Sequence, residues 1–363
     1  MTEREIGTSG RANGYVPLVA IVRGDVIESV HHGAISVVTD EGICLAAAGD
    51  PATVTFLRSA AKPIQVLPLL AEGAADRFGL TVEEIAVIVG SHGGESRHLD
   101  TVRSILKKTG LDQSALRCGT HSPMHRPAAR ELRAGGDEPT VLHNNCSGKH
   151  AGMLALAVAL GAPVESYLEP DHPVQVRIRA AILTFADLPD GGLKTAVDGC
   201  SAPTFALPLD RAALTFARLL APAGPPELFR ASARRVVAAM REHPFMIAGT
   251  DRLCTALMEE TGDRFVAKIG AEGFYGLGYE RDGRGVGIAI KVADGDGARA
   301  RHSIALRVLE DVGILSGPHA QRLRERFVGD LTNCKGLKVG RVQPLFNLAV
   351  GKLVAGERPV RLG

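Results

Sequence analysis

The segment Arg58-Ser59-Ala60-Ala61-Lys62-Pro63 lies where a strand-like sequence pattern gives way to a helical one. The run before it, residues 53–57, is rich in β-branched and aromatic side chains and predicts a strand. Proline is tolerated in a helix only in the first turn, so Pro63 predicts that a helix begins close to Ser59. On such a helix Ser59 and Lys62 lie on one face, roughly 5–6 Å apart at Cβ. The spacing therefore allows the hydroxyl to hydrogen-bond to the amine.

A serine three residues before a lysine suggests nucleophilic catalysis. Serine is a weak nucleophile without a base beside it, and lysine serves as that base only if desolvation or a nearby cation lowers its pKa. The start of a helix adds backbone N–H groups that can stabilise an oxyanion. The four-residue pattern also occurs by chance in most proteins of this size, so the hypothesis depends on the rest of the chain.

Composition excludes several classes of function. The chain has 363 residues with 42 basic and 40 acidic side chains, and a net charge of +2 gives no broad attraction to nucleic acid or to a membrane. Aromatic residues make up 4% and tryptophan is absent, which argues against a base-stacking surface. No run of 18 apolar residues that could span a membrane appears. We therefore predict no nucleic-acid partner and no membrane insertion.

The termini and the cysteines predict a cytoplasmic protein. Residues 1–15 are polar and lack the apolar core of a signal peptide, so we interpret them as a disordered leader before a single catalytic domain, residues 16–363. Six cysteines are scattered along the chain without a regular spacing. Together these features predict reduced thiols, some of them with metal-binding or catalytic roles.

The order of predicted elements indicates an α+β fold. Residues 17–56 read as strands separated by Asp-Gly and Gly-Asp turns, and further strands are predicted at 265–292 and 338–342. The segments between them are mostly helical in pattern. We expect an antiparallel sheet that joins both ends of the chain and is flanked by helices.

Two loops in the first half of the chain are candidates for a site. In Gly90-Ser91-His92-Gly93-Gly94-Glu95, a serine is flanked by glycines, which let a backbone approach a ligand closely; an ordinary turn is the alternative. Residues 117–127 form an irregular loop that carries His121 and His125. This loop could line a pocket or lie on the surface.

Two cysteines have unusual polar neighbours. Cys146 lies in the stretch 144–152, which places polar residues directly before an apolar helix, and Cys200 lies in the turn 198–203. Cys146 and His150, four residues apart, would share a helix face and could bind a metal. The alternative is that each cysteine is a small buried core residue.

Ser59-x-x-Lys62, Ser91 and Lys268-x-Gly270 follow one another in the order of the serine β-lactamase and penicillin-binding class. That class has threonine where this chain has Ile269, and the middle motif here contains no Ser-Asp-Asn. Related chemistry on a substrate other than a β-lactam is therefore expected.

Five segments together resemble the asparaginase II family, the thermolabile, rhizobial-type L-asparaginases. They are residues 57–63, 90–95, 144–152, 198–203 and 267–273, which span most of the chain in one order. The resemblance implies a fold similar to serine β-lactamases and glutaminases, a homodimer, and hydrolysis of L-asparagine to L-aspartate and ammonia.

The resemblance also implies roles for individual residues. It implies two serine–lysine pairs, Ser59 with Lys62 and Ser91 with Lys268. A zinc (Zn2+) site in a helical portion of the fold would use Cys146, Lys149 and Cys200, so that Lys149 replaces His150 as the third ligand. From these roles we further expect the zinc cluster, together with Arg58, His150 and Asp198, to bind the substrate's amino-acid end.

Three other functions stay open from sequence. A penicillin-recognising serine hydrolase would be acylated by penicillin. A metallohydrolase would depend on zinc-activated water rather than on Ser59. A non-enzymatic zinc-binding protein would release no ammonia from any amide. The sequence also leaves the choice between asparagine and glutamine open.

Overall fold

The computed structural model describes residues 14–221, 227–281, 283–297 and 299–350, so most of the predicted leader lies outside the described residues. The strands are β1 (Val16–Arg23), β2 (Val26–Thr39), β3 (Cys44–Ala48), β4 (Val54–Phe56), β5 (Lys194–Val197), β6 (Pro203–Pro208), β7 (Phe265–Ile269), β8 (Phe274–Arg281), β9 (Arg284–Val292), β10 (Leu331–Thr332), β11 (Lys338–Pro344) and β12 (Ala349–Val350).

The α-helices are α1 (Lys62–Gln65), α2 (Leu67–Ala71), α3 (Ala74–Arg77), α4 (Val82–Val89), α5 (Ser96–Lys108), α6 (Arg126–Ala134), α7 (Ser147–Leu160), α8 (Pro173–Ala186), α9 (Leu209–Leu220), α10 (Glu227–Glu242), α11 (Pro244–Ala248), α12 (Leu253–Thr261), α13 (Ala300–Asp311) and α14 (Gly317–Phe327). Short 3-10 helices include Arg58–Ala61, directly before α1, and Val141–His143, before α7.

A large antiparallel sheet joins the two ends of the described chain. Its strand order is β10-β11-β1-β2-β9-β8-β7, and β3 and β12 extend it beside β2. β1 pairs with β11, with Val19 opposite Pro344. The predicted α+β class, with an antiparallel sheet closed by both ends of the chain, is confirmed. In this sheet β7 is an edge strand, and it carries Lys268 opposite Gly276 of β8.

Helix α9 packs across the centre of this sheet against β2, β8 and β9. The close approach requires strand residues without side chains. A Cβ atom at Gly287 would overlap the carbonyl oxygen of Ala213, and one at Gly276 would overlap the ring of Phe216. Because both neighbours are buried, neither could move aside without disturbing the core.

Gly287→Ala is therefore expected to destabilise the protein by about 1–3 kcal/mol or more, since the added methyl group must push α9 away from the sheet. Chemical denaturation measures this change in the free energy of unfolding. Gly329→Ala is the matched control, because its Cβ would meet only ordinary van der Waals contact at 3.6 Å. Equal stability of the two variants would contradict the described packing.

A second sheet of three strands, in the order β4-β6-β5, connects two of the predicted motifs. β4 leads directly into Ser59, while the loop between β5 and β6 carries Cys200. Phe56 lies opposite Ala206, and the N–H of Leu57 donates to the carbonyl of Phe205 at 3.1 Å. This small sheet brings the Ser59 segment next to the Cys200 loop.

Helices α4 and α7 bring the other two motifs together. A Cβ atom at Gly148 would overlap the carbonyl of Val87, so α7 lies directly against the end of α4. Ser91 follows α4, and Cys146 precedes α7. Among the described residues, no helix combines the length and hydrophobicity needed to cross a membrane.

Candidate active site

Ser91 lies between two buried lysine amines. Its Oγ is 2.8 Å from Nζ of Lys268 and 3.0 Å from Nζ of Lys62. The three side chains come from the loop after α4, from β7 and from the start of α1, and their exposed fractions are 4%, 0% and 2%. Two amines therefore share one hydroxyl in a site almost without access to solvent.

Backbone carbonyl groups complete the surroundings of the amines. Nζ of Lys62 donates to the carbonyl oxygens of Gly90 at 2.5 Å and Asn145 at 3.2 Å. Nζ of Lys268 lies 3.3 Å from the carbonyl oxygen of Ile269. No carboxylate of the described residues is hydrogen-bonded to either amine, so no ion pair offsets the burial of a positive charge here.

Burial lowers the pKa of both lysines. For Lys62 the charge of Lys149 adds to this effect, while Cys146 and Cys200 oppose it. Burial holds the pKa of Lys268 well below its ordinary value, and the positive charge of Lys62 nearby adds to this lowering. The site favours neutral amines, the form that can accept a proton.

Ser59 occupies a different position from the one predicted. Its side chain is half-buried, and its carbonyl accepts a hydrogen bond from the backbone N–H of Lys62. Within the described ranges its hydroxyl has no hydrogen-bond partner. The expected hydrogen bond between Ser59 and Lys62 is not formed, because the Lys62 amine is directed to Gly90, Ser91 and Asn145 instead.

The predicted metal ligands Cys146, Lys149 and Cys200 lie together. Nζ of Lys149 is 3.0 Å from Sγ of Cys200, and the thiols of Cys146 and Cys200 are hydrogen-bonded to each other. All three side chains are buried. No group of three or more His, Cys, Asp or Glu side chains suited to a metal occurs in the described part of the chain. A metal here would therefore need the Lys149 amine as its third donor.

Of the three groups, only Cys146 favours the deprotonated form in which it would bind a metal. The hydrogen bond from Cys200, together with the charges of Lys62 and Lys149, holds the pKa of Cys146 well below its ordinary value. The pKa of Cys200 is raised because its thiol is the donor to Cys146. Burial opposes charge on Lys149, but the sulfurs of Cys146 and Cys200 outweigh it and raise the pKa of that amine. Two sulfur donors and one amine fit zinc, and binding would displace protons from them.

His150 and Asp198 lie around this cluster. Nδ1 of His150 is 2.6 Å from the hydroxyl of Tyr167, and its buried Nε2 has no hydrogen-bond partner among the described residues. Asp198 accepts a hydrogen bond from Nε of Arg58 at 2.7 Å, and its Oδ2 lies 3.9 Å from Sγ of Cys200. In the described part of the chain no hydrogen bond or ion pair joins His150 to the Arg58–Asp198 pair, so the three residues expected to bind substrate are not directly linked.

Asn145 and His121 help to form the site, although no sequence pattern indicated these roles. Nε2 of His121 accepts a hydrogen bond from the backbone N–H of Asn145 at 2.9 Å, and the carbonyl of the same residue holds Lys62. The loop 117–127 therefore supports the backbone that surrounds the lysine. The histidines of that loop were the available signal, but nothing in their spacing pointed to Asn145.

The fold and the buried lysines define an α+β protein with an enclosed polar site. The family model for L-asparaginase II matches residues 19–344, nearly the whole described chain, and the chain belongs to that family. Membership in this family makes the protein an amidohydrolase. The resemblance noted from the five sequence segments is confirmed. No curated protein matches the chain in sequence.

Solved structures similar to the chain include a β-lactamase from Mycobacterium bovis, with 14% identity, a TM-score of 0.39 and coverage of 76% of this chain and 93% of that one. A structure of Mglu has 17% identity, a TM-score of 0.35 and coverage of 78% and 67%. Another, of Mglu in its glutamate form, has 18% identity, a TM-score of 0.34 and coverage of 78% and 61%. TM-scores this low establish neither a shared fold nor a shared substrate.

Proposed function

We propose that the protein hydrolyses L-asparagine to L-aspartate and ammonia through an ester formed on Ser59. The observation that carries this proposal is the position of the Ser91 hydroxyl between the amines of Lys62 and Lys268. The match to the L-asparaginase II family is the reason for proposing that the bond cleaved is an amide. The two lysines supply a base and a proton donor without a histidine or a carboxylate.

The hydrogen bonds of Lys62 suit a neutral amine. Such an amine has two N–H groups and one lone pair. The carbonyls of Gly90 and Asn145 can accept both N–H groups, which leaves the lone pair for a hydroxyl proton. Lys268 can then donate to Ser91 Oγ while the Ser91 hydroxyl donates to Lys62. This arrangement can relay a proton between Lys62 and Lys268 through Ser91, in either direction.

Exposure supports Ser59, rather than Ser91, as the nucleophile. Ser91 is 4% exposed and its oxygen is already contacted by two amines, whereas the half-buried Ser59 hydroxyl is free of hydrogen bonds to the described residues. A nucleophile must be reached by a substrate, and a relay need not be. We therefore assign attack to Ser59 and proton transfer to Ser91.

The proposed reaction has two balanced steps. In the first, Ser59 Oγ attacks the side-chain amide carbon and loses its proton to Lys62; the C–N bond breaks, and the relay returns a proton to the leaving nitrogen as ammonia. In the second, water attacks the ester, aspartate leaves, and Ser59 regains its proton. Backbone N–H groups near Ser59 would stabilise the oxyanion of each step, typically by about 3–4 kcal/mol per donor.

We further propose that Cys146, Lys149 and Cys200 hold zinc beside the pocket. When bound, the ion would supply positive charge for the carboxylate of the amino-acid substrate. Asp198 could bind the substrate's ammonium group, and Nε2 of His150, which has no hydrogen-bond partner among the described residues, could donate a hydrogen bond to the substrate's carboxylate. Arg58 contributes at this end through its ion pair with Asp198.

Activity is expected to persist at neutral pH and to fall as the pH falls through the lowered pKa values of the lysines. The base must be deprotonated, and burial lowers the pKa of Lys62 from about 10.5. The acidic limb of kcat/KM should therefore lie well below that value. Measuring kcat/KM for asparagine from about pH 5 to pH 10 checks this expectation; an acidic limb near the ordinary lysine value would contradict it.

Cys200→Ala is expected to remove bound zinc and to raise KM for asparagine, with a smaller effect on kcat. The reason is that the variant loses a metal donor without touching the serine–lysine group. Metal analysis of the purified protein and steady-state kinetics measure both effects. Cys44→Ala, at an exposed cysteine, should retain zinc and KM. A Cys200→Ala variant with full zinc content would refute the ligand set.

Ammonia release from asparagine and glutamine, with and without a chelator, tests the proposal as a whole. We expect release from asparagine to depend on Ser59 and to persist in part after chelation. Loss of all turnover on chelation while Ser59→Ala stays active would indicate zinc-activated water instead. A mass increase with penicillin would indicate a penicillin-recognising enzyme. Zinc binding without ammonia from either amide would indicate a non-enzymatic protein.

A further inference from the structure

Arg58 has an unusual backbone conformation directly before Ser59. Its φ is +51°, in the left-handed region that L-residues with a side chain rarely adopt. Asparagine and aspartate enter this region more easily than arginine because their short side chains can bond locally. An arginine here must therefore be held by contacts from elsewhere in the fold.

Contacts on three sides hold the backbone at residues 57 and 58. The N–H of Leu57 donates to Phe205 of β6. The carbonyl oxygen of Leu57 fits against Gly270, where a Cβ atom would approach it to 2.5 Å. The third contact is the ion pair from Nε of Arg58 to Oδ1 of Asp198, at 2.7 Å.

Asp198 is itself fixed in the Cys200 loop. Its side chain is only 10% exposed, and its Oδ1 also accepts the backbone N–H of Gly199 at 2.8 Å. The N–H of Asp198 donates to the carbonyl of Ala202 at 2.9 Å, which closes the turn. The carboxylate is thus a rigid anchor for the Arg58 side chain.

We infer that the Arg58–Asp198 ion pair is a positioning device: it holds the left-handed backbone at Arg58 and thereby sets the place of the Ser59 hydroxyl. The inference rests on the proposed function, because it gives Ser59 the role of nucleophile. It differs from direct substrate binding by Arg58, since the side chain would act through the backbone of the next residue. Because Asp198 lies in the Cys200 loop, the ion pair also makes the position of Ser59 depend on the position of that loop.

Comparison of Arg58→Ala with Arg58→Gly separates the two roles. Both variants lose the ion pair, but glycine adopts a positive φ without strain and alanine does not. We expect Arg58→Ala to lower kcat about 100-fold, as small misplacements of reacting groups do. Arg58→Gly should recover at least tenfold of that loss. If Arg58 instead binds substrate directly, the two variants will be equally slow, and the inference is overturned.

Asp198→Asn tests the partner. In the wild-type background it should lower kcat, whereas in the Arg58→Gly background it should lower kcat less than threefold further, because no arginine is left to be held. Any loss of contact between Asp198 and the substrate's ammonium group should raise KM in both backgrounds. An equal loss in both backgrounds would show that Asp198 acts without Arg58. Zinc content is measured for every variant, so that loss of metal is not mistaken for misplacement of Ser59.

Asp187 provides a matched control for the backbone change. It has a similar φ of +53° and pairs with Arg211 at 3.3 Å, at the end of α8. Asp187→Gly and Asp187→Ala should both leave kcat unchanged, although the glycine variant should melt at the higher temperature. For residue 58 the glycine variant should likewise melt above the alanine variant.

The melting temperatures separate failure of the inference from failure of the proposed function. If Ser59→Ala stays active, the nucleophile assignment fails, but the order of the two melting temperatures still tests whether residue 58 is strained. An Arg58→Gly variant that melts no higher than Arg58→Ala would overturn the inference even if Ser59 proves essential.

Discussion

Replacement of Ser59 by alanine is expected to abolish ammonia release from asparagine, with a fall in kcat of roughly 10⁴-fold or more. The oxygen of this hydroxyl is the atom that we propose forms the ester. We expect no other nucleophile beside the two buried amines to reach the substrate in its place. Because the side chain is half-buried and free of hydrogen bonds to the described residues, its removal should cost little stability. Steady-state kinetics and a thermal melt together measure the two effects.

Trapping the ester identifies which serine carries it. Wild-type enzyme mixed with asparagine and quenched rapidly should gain the mass of an aspartyl group on the peptide that contains Ser59. Ser91→Ala should slow formation of that ester by about 10²–10⁴-fold, as loss of a proton relay does, without moving it to another residue. Ser36→Ala is a control, since it removes a buried hydroxyl without hydrogen-bond partners from β2. Near-normal turnover of Ser59→Ala would exclude Ser59 as the nucleophile.

Local sequence signals predicted much of the fold. The strands of residues 17–56 fall close to their predicted positions because glycine and aspartate mark the turns between them. Thr81 and Glu84, spaced as a capping box requires, form one at the start of α4. The helix expected near Ser59 is present, but it begins as a 3-10 turn, and Pro63 lies in the first turn of α1.

Other elements gave weak signals. β6 (Pro203–Pro208) begins and ends with proline and is almost entirely buried, so it shows no alternation of polar and apolar residues. α14 (Gly317–Phe327) is strongly basic and buries only Ala320 and Leu323, which left too little periodic pattern to predict a helix. The conformation of both elements, β6 and α14, therefore depends on packing against distant parts of the chain.

The sequence indicated the members of the site but not how they pair. Motif order and the family resemblance named Ser59, Lys62, Ser91 and Lys268. Their contacts depend on the approach of α4 to α7 and on the edge position of β7, and both are long-range features. The spacing of three residues between Ser59 and Lys62 suggested a local pair, yet the Lys62 amine is directed to Ser91, which lies 29 residues further along the chain.

Lys62→Met is expected to lower kcat by roughly 10³-fold or more, because it removes the proposed base while filling a similar volume. The amine of Lys62 is the group that two carbonyls and the Ser91 hydroxyl surround, and methionine can accept no proton from Ser59. Removal of the Lys62 charge should also raise the pKa of Lys268, since that charge is one cause of its lowering. Any residual activity should therefore have its acidic limb at higher pH than in the wild type.

The variant must also be separated from a simple loss of stability. Lys62→Met leaves the carbonyls of Gly90 and Asn145 without a donor, at a cost of about 1–3 kcal/mol for each unsatisfied buried group. Lys108→Met is the matched control, because Nζ of Lys108 likewise donates to a carbonyl, that of Gly79 at 2.8 Å, and to Glu84 at 2.6 Å, outside the site. Lys108→Met should lose stability but keep kcat. If the folded Lys62→Met protein still forms the Ser59 ester at the wild-type rate, Lys62 is not the base, and the relay through Ser91 must serve a different step.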